Sequence, residues 1–379
     1  MTGTGRSIGD TLTRWATFQE VMAQPGVWRS WSNDLAAYAR ITSEWIRSRE
    51  YSEIWFCGAG TSAFIGDTLC TYLNTARGPA RYRSIPTTDL VSCPNNFIRP
   101  GVRVLVVSFG RSGNSPETIG TLDLLDGHFP DADRLNFTCN ASGALATRIP
   151  PGPGEQRIIL LPPETDDSGF AMTSSYSTML LSALACLDDH PPLPLPETID
   201  RLATAAEDVL EASLRLASNN PRPPSRAVFL GSGVLKGSAR ESALKVLELS
   251  AGQVPTSWDS TLGFRHGPKA IVGTDTRVHV LISNDPHTRR YDVDVASEIR
   301  AQFGSRSAIA FGSMDGVDLR VPLVGNDAWT GILYVAAAQI QAIAWSDALG
   351  INVDNPFSEG NLTRVVEGVT LYPLERVRR

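Results

Sequence analysis

Trp28, Trp31, Leu35, Tyr38, Ile41, Trp45 and Ile46 recur at helical spacing. The first fifty residues are therefore expected to be helical, a lid or packing arm ahead of the first strand. From Ile54 the pattern changes to short apolar runs alternating with helical stretches: IWFCGAG, TSAFIGDTLCTYL, VRVLVVSFG, SPETIGTLDLL and LNFTCN. Such alternation predicts parallel strands joined by helical crossovers. The segment HPPLPLP at 190–196 can continue neither a helix nor a central strand, so it marks a linker after a helix at 176–187. One more helix, 199–217, and a second Pro-rich turn, 221–224, precede AVFLGSG at 227–233, where the same order of elements begins again. RVHVLISND echoes VRVLVVSFG, SAIAFG echoes LNFTCN, LRVPLVGND echoes IILLPPETD, and ILYVAAAQIQAIAW echoes SSYSTMLLSALA. The expected fold class is α/β, with two doubly wound, mainly parallel sheets flanked by helices. The expected boundaries are a helical arm at 1–33, a first domain at 34–190, a linker with a connecting helix at 191–224, and a second domain at 225–379.

Composition agrees with a folded chain. Of 379 residues 42% are hydrophobic and 20% charged, enough for two sizeable cores. The formal net charge of −6 and the lack of a dense basic run argue against a nucleic-acid groove. Five widely spaced cysteines, Cys57, Cys70, Cys93, Cys139 and Cys186, suggest neither a disulfide framework nor a CxxC metal site and read as reduced core residues. The N-terminus lacks a secretory signal pattern, and no stretch of about 18 apolar residues exists. A cytoplasmic protein with no membrane partner is expected.

The candidate chemistry lies in loops after strands. Cys57-Gly-Ala-Gly-Thr-Ser62 brings the hydroxyls of Thr61 and Ser62 to a helix N-terminus, a geometry that suits an anion, although glycines after a strand can also serve only a tight turn. A second loop, 107–118, gathers Ser108, Arg111, Ser112, Asn114, Ser115 and Thr118 around Gly113. Hydroxyls and amides there can bind a phosphate without a Walker lysine. A dinucleotide fingerprint fits poorly, since Gly58, Gly60 and Ala63 only approximate GxGxxG. In the second half, Glu241, Lys245 and Glu248 fall at i, i+4 and i+7 on one helix face, either a solvated salt-bridge stripe or a functional set. The following loop, 257–268, places His266 between Arg265 and Gly267. Glu248 suits proton transfer between adjacent sugar carbons, and His266 suits ring opening near neutrality. No metal or other cofactor is invoked, as the histidines are too dispersed for ligand spacing. Trp28, Trp31, Trp45 and Trp55 are expected to pack rather than stack on sugar. Thr173, Ser174 and Ser175 either cap a helix or face a ligand. Arg376, Arg378 and Arg379 read as solvated tail charges.

At these residues the chain resembles the sugar isomerase (SIS) superfamily, as a tandem pair of such domains from about Asp34 onward. The Gly-Thr-Ser62 turn, the Arg-Ser-Gly-Asn-Ser115 loop, the Glu241–Lys245–Glu248 helix, the His-Gly-Pro268 loop and the Asn-Leu-Thr-Arg364 segment occur in that family's order. It is similar to the isomerase half of glucosamine-6-phosphate synthase, without the amidotransferase domain or its cysteine nucleophile. SFGRSGNSPET, FAMTSSYSTMLL, GFRHGPK and NPFSEGNLTRVVEGV resemble more closely the tagatose-6-phosphate ketose/aldose isomerases, or galactosamine-6-phosphate deaminase/isomerases. The resemblance implies that Ser62, Ser112 and Ser115 hold a 6-phosphate, with Thr61, Arg111 and Asn114 lining the loop. It makes Glu248 the base, oriented by Glu241 and Lys245, and lets His266 assist ring opening. It also implies a homodimer or higher homo-oligomer, with His266 lent across the interface. Two departures stand out. Gly110 replaces the opening serine of the synthase loop, and Arg364 replaces a lysine able to form an imine; arginine stays protonated and cannot, leaving Arg364 to bind a phosphate or a substrate hydroxyl. The implied activity is deamination and isomerisation of galactosamine 6-phosphate to tagatose 6-phosphate. A plain hexose 6-phosphate isomerase, a non-catalytic sugar-phosphate sensor, and an etherase or deacetylase are the alternatives.

Overall fold

The computed structural model describes residues 8–374 except Arg77 and Pro100, so the arginines at 376, 378 and 379 fall outside the described residues. The chain packs into two units. One gathers the described residues up to Asn33 with Asp167–Ser177 and His190–Asn361; the other gathers Asp34–Asp166, Thr178–Asp189 and the described residues from Leu362.

The N-terminal segment forms α1 (Ile8–Leu12) and the long α2 (Ala16–Arg47). Trp28, Trp31, Leu35 and Trp45 are buried, as is Trp55 beyond the helix, so these rings pack as expected. Pro25 stands inside α2 and cannot donate to the Val21 carbonyl; Gln24 Nε2 donates to that oxygen instead, at 3.2 Å.

The next elements are β1 (Glu53–Cys57), α3 (Thr61–Leu73), β2 (Arg81–Ser84), α4 (Thr87–Ser92), β3 (Val104–Gly110), α5 (Pro116–His128), β4 (Asp133–Thr138), α6 (Ala144–Thr147), β5 (Gln156–Leu160) and α7 (Ser174–Leu187). The five strands form one parallel sheet in the order β2-β1-β3-β4-β5. β1 and β4 are buried at every residue, although Glu53 opens the first and Asp133, Arg134 and Asn136 interrupt the second. The polar edge strand β2, RYRS, has no such run and is not anticipated by the pattern. The chain leaves β1 for β2 and returns to β3, so β1 and β3 are neighbours whose following loops diverge, the place where such sheets bind ligands.

The later elements are α8 (Leu195–Asn219), β6 (Arg226–Gly231), α9 (Leu235–Leu249), β7 (Thr256–Asp259), α10 (Thr261–Phe264), β8 (Thr276–Leu281), α11 (Thr288–Phe303), β9 (Ala308–Gly312), β10 (Leu319–Arg320) and α12 (Asp327–Ala348). Their sheet is again parallel, in the equivalent order β7-β6-β8-β9-β10. The stretch 257–268, expected as a loop, contains most of β7 and the single turn α10. α12 is buried on all faces from Ala328 to Ser346. Among the described residues no helix is long and apolar enough to cross a membrane. Cys57 and Cys186 are core residues, whereas Cys93 is exposed, a departure from the expected pattern.

His279 is an unusual core residue. Its ring stacks on Phe229 with centroids 4.5 Å apart and meets Phe311 edge-on. Burial above all, then the charge of Arg277, lowers its pKa to about 3. The neutral ring fits the fold, while the unfolded chain takes up a proton below about pH 6.5. Stability is thus complete above that pH and is lost as the pH falls toward 3, by about 2 kcal/mol at pH 5. His279→Phe is expected to flatten this acid limb in urea unfolding between pH 7 and 5; an unchanged slope would show that the ring is not held neutral.

Candidate active site

In the unit holding the first sheet, β1 ends at Cys57 and the chain turns through Gly58-Ala59-Gly60 into α3. A Cβ on Gly58 would stand 2.7 Å from Ser62 Cβ, and Gly60 has φ 54°, so both positions require glycine. The turn sets Thr61 and Ser62, both buried, in the first turn of α3. β3 delivers the second loop beside it, with Cys57 paired to Ser108. Ser115 caps α5: its Oγ accepts from the Thr118 amide at 3.3 Å, and Pro116 opens the helix. Ser112 Oγ accepts from the Asn114 amide at 3.3 Å, and Asn114 Oδ1 accepts from the Ala144 amide at 2.8 Å. Asn140 Nδ2 donates to the Ser112 carbonyl at 3.0 Å. The loop is therefore braced from the end of β4 and from α6 before any ligand arrives.

Leu145 lies over the Gly110 position. A Cβ there would come 2.9 Å from Leu145 Cδ1, so a serine fits only if Leu145 moves. Arg111 is buried and donates from Nη2 to the Arg364 carbonyl at 3.4 Å, while Arg364 Nη2 pairs with Asp166 at 3.3 Å. Two residues far apart in sequence are thus joined beside the serine loop. Leu145 and Asn140, which shape that loop, were not singled out from sequence, because nothing near them marks their contact.

In the unit holding the second sheet, α9 carries Glu241, Lys245 and Glu248. Lys245 has no exposed side-chain surface; its Nζ lies 2.7 Å from Glu248 Oε2 and 3.4 Å from Glu241 Oε1. Burial pulls the Lys245 pKa down, but the charges of Glu241 and Glu248 outweigh it and raise the pKa overall. The ammonium therefore persists, and the face is a buried charge cluster rather than a solvated stripe. Glu248 alone of the three reaches solvent, with 25% of its side chain exposed. A carboxylate fixed on a buried cation and open on one side can accept and return a proton.

His266 follows α10 and is exposed. Its neighbours are anchored on α11: Arg265 Nε donates to Glu298 at 2.7 Å and Nη2 to Asp294 at 2.6 Å, and Lys269 also pairs with Glu298. Lys269 first and then Arg265 hold the Glu298 carboxyl below its ordinary pKa. Among the described residues no hydrogen bond or ion pair joins His266 to Glu248. Thr173, Ser174 and Ser175 are buried around Asp167, whose carboxylate accepts from all three amides and from the hydroxyls of Thr173 and Ser175. The remaining hydroxyl, Ser174 Oγ, donates to the Glu20 carbonyl at 3.0 Å.

No family model matches the chain. A D-galactosamine-6-phosphate deaminase AgaS from Shewanella sp. strain ANA-3 is 36% identical, over 96% of this chain and 94% of its own. The protein of the same name from Escherichia coli O157:H7 is 37% identical, over 94% and 95%. The crystal structure of tagatose-6-phosphate ketose/aldose isomerase from Escherichia coli matches with a TM-score of 0.84 at 33% identity, covering 95% of this chain and 97% of that one.

Proposed function

This chain belongs to the family of D-galactosamine-6-phosphate deaminases AgaS, and we propose that it converts galactosamine 6-phosphate and water to tagatose 6-phosphate and ammonia. The observation that carries the chemistry is Glu248, a quarter exposed to solvent and held at 2.7 Å by a wholly buried ammonium. His266 assists opening of the sugar ring to the aldehyde. Glu248 then takes the C2 proton, C1 and C2 share the resulting enaminol, and the proton is returned to C1. The product is a ketimine at C2; water adds, the C–N bond breaks, and ammonia leaves behind the ketone. Arg364 forms no imine with the ketose, so no covalent capture enters this route.

Ser62, Ser112 and Ser115 take the 6-phosphate, with Thr61, Arg111 and Asn114 completing the loop. Ser112→Ala separates binding from folding, since among the described residues the Ser112 hydroxyl makes a single bond, from the Asn114 amide. A hydrogen bond to a charged group is worth about 1.5–3 kcal/mol, so KM should rise roughly tenfold to a hundredfold with kcat little changed. Steady-state kinetics decide this; an unchanged KM would take Ser112 out of the phosphate site.

The test of the reaction is ammonia release coupled to ketose 6-phosphate formation, with galactosamine 6-phosphate and glucosamine 6-phosphate compared. Ammonia from the galacto epimer supports the deaminase. Turnover of galactose 6-phosphate but of neither amino sugar would replace it with a plain aldose/ketose isomerase, the activity named for the Escherichia coli structure.

A further inference from the structure

The two sheets have the same strand order, and their strand ends can be matched residue by residue. Cys57 pairs with Ser108 in the first, and Leu230 with Val280 in the second. Gly58-Ala59-Gly60 then corresponds to Gly231-Ser232-Gly233. Gly60 and Gly233 have φ 54° and 56°, and a Cβ on Gly231 would strike the Leu235 carbonyl as one on Gly58 strikes Ser62. By the same match, the loop starting at Arg111 corresponds to the one starting at Ser283.

The chemistry at the two edges differs. Where the first offers Ser62, the second has the buried Leu235. The donors of the second edge are already taken by a carboxyl group of the chain itself. Asp292, fully buried on α11, lies 2.6 Å from Ser232 Oγ and 2.9 Å from Thr261 Oγ1, and its other oxygen accepts from the Ser283 amide at 2.9 Å. Asp327 takes the next donors, the Ser283 hydroxyl at 2.5 Å and the Asn284 amide at 2.9 Å. An edge of the phosphate-binding type is thus plugged from within.

The plug touches a loop that matters. Thr261 opens α10, Phe264 sits in the core beneath it, and His266 follows two residues later. On the far side the loop is tied to α11 by the partly exposed pairs of Arg265 and Lys269, and such pairs hold weakly. We infer that Asp292 is a positioning residue for His266, fixing the start of its loop through Thr261 so that the imidazole is presented in one place. This rests on the role given to His266 above.

Asp292→Ala and Thr261→Val test it, the second removing one hydroxyl at nearly constant volume. Both should raise amide hydrogen exchange over residues 260–268 and lower kcat about tenfold or more with KM held, since small misplacements of a catalytic group are costly. Asp292→Asn should recover most of both, because its amide can still accept from Ser283 and donate to the two hydroxyls. Exchange over 260–268 at the wild-type rate in both Asp292→Ala and Thr261→Val overturns the inference, whatever the activity. A wild-type chain silent on every sugar phosphate, with exchange altered as expected in the variants, would instead remove the function given to His266 while leaving the loop anchored by Asp292.

Discussion

Glu248→Gln is expected to cut kcat for the deamination about a thousandfold while leaving KM within about threefold, the loss being that of a general base in the rate-determining transfer. Glutamine has no basic oxygen able to hold the C2 proton. Its amide oxygen can still accept from Lys245, which lies 2.7 Å from Glu248 Oε2, so the end of α9 keeps its anchor. Ser62, Ser112 and Ser115, to which the phosphate is assigned above, are unaltered in the variant. Two measurements separate chemistry from binding. Exchange of the substrate C2 hydrogen with solvent deuterium should vanish in the variant, and competitive inhibition by a sugar-alcohol 6-phosphate should be unaltered. A variant retaining more than a tenth of wild-type kcat would show that another group moves the proton, and the cluster on α9 would then be structural.

Much of this arrangement is legible in the chain because the buried strands of a parallel sheet are long apolar runs. β3, β6 and β9 are largely of that kind, β1, β4 and β8 carry apolar stretches broken by polar or charged residues, and the glycine turns that follow β1 and β6 announce themselves by composition. The short edge strands β2 and β7 have no such run and pass unnoticed, while β10 is legible through the echo of IILLPPETD in LRVPLVGND. The serine loop is legible for a related reason: capping, turning and anion binding all call for Ser, Asn and Gly at close spacing, so the chemistry is local. What is illegible is whatever depends on distant partners. Nothing beside Leu145 says that its methyl fills the space over Gly110. Nothing beside Asp292 says that it will meet Ser232, Thr261 and Ser283. The spacing of Glu241, Lys245 and Glu248 shows that they share a helix face but cannot show whether water covers it, and that difference decides their role.

Lys245→Met makes the same difference measurable. If the cluster is as buried as its geometry shows, losing the ammonium deprives Glu241, which has no exposed surface, of a buried counter-charge. Breaking a buried pair from one side costs about 3–5 kcal/mol, a loss readable in chemical unfolding at neutral pH. The raised pKa of Lys245 fixes the window. A lysine whose folded pKa exceeds its unfolded one contributes fully below about pH 10.4 and loses that contribution as the pH rises from there through the folded value, so the deficit of the variant should be constant across pH 6–9. Glu241→Leu combined with Lys245→Met removes both buried charges and should recover much of the stability, as apolar replacement of buried pairs often does. Activity should not return with it, because Glu248 would still lack the donor that holds its carboxylate in place. A single Lys245→Met variant as stable as wild type would mean that water reaches the pair, and the argument for Glu248 as a base held on a buried cation would fail with it.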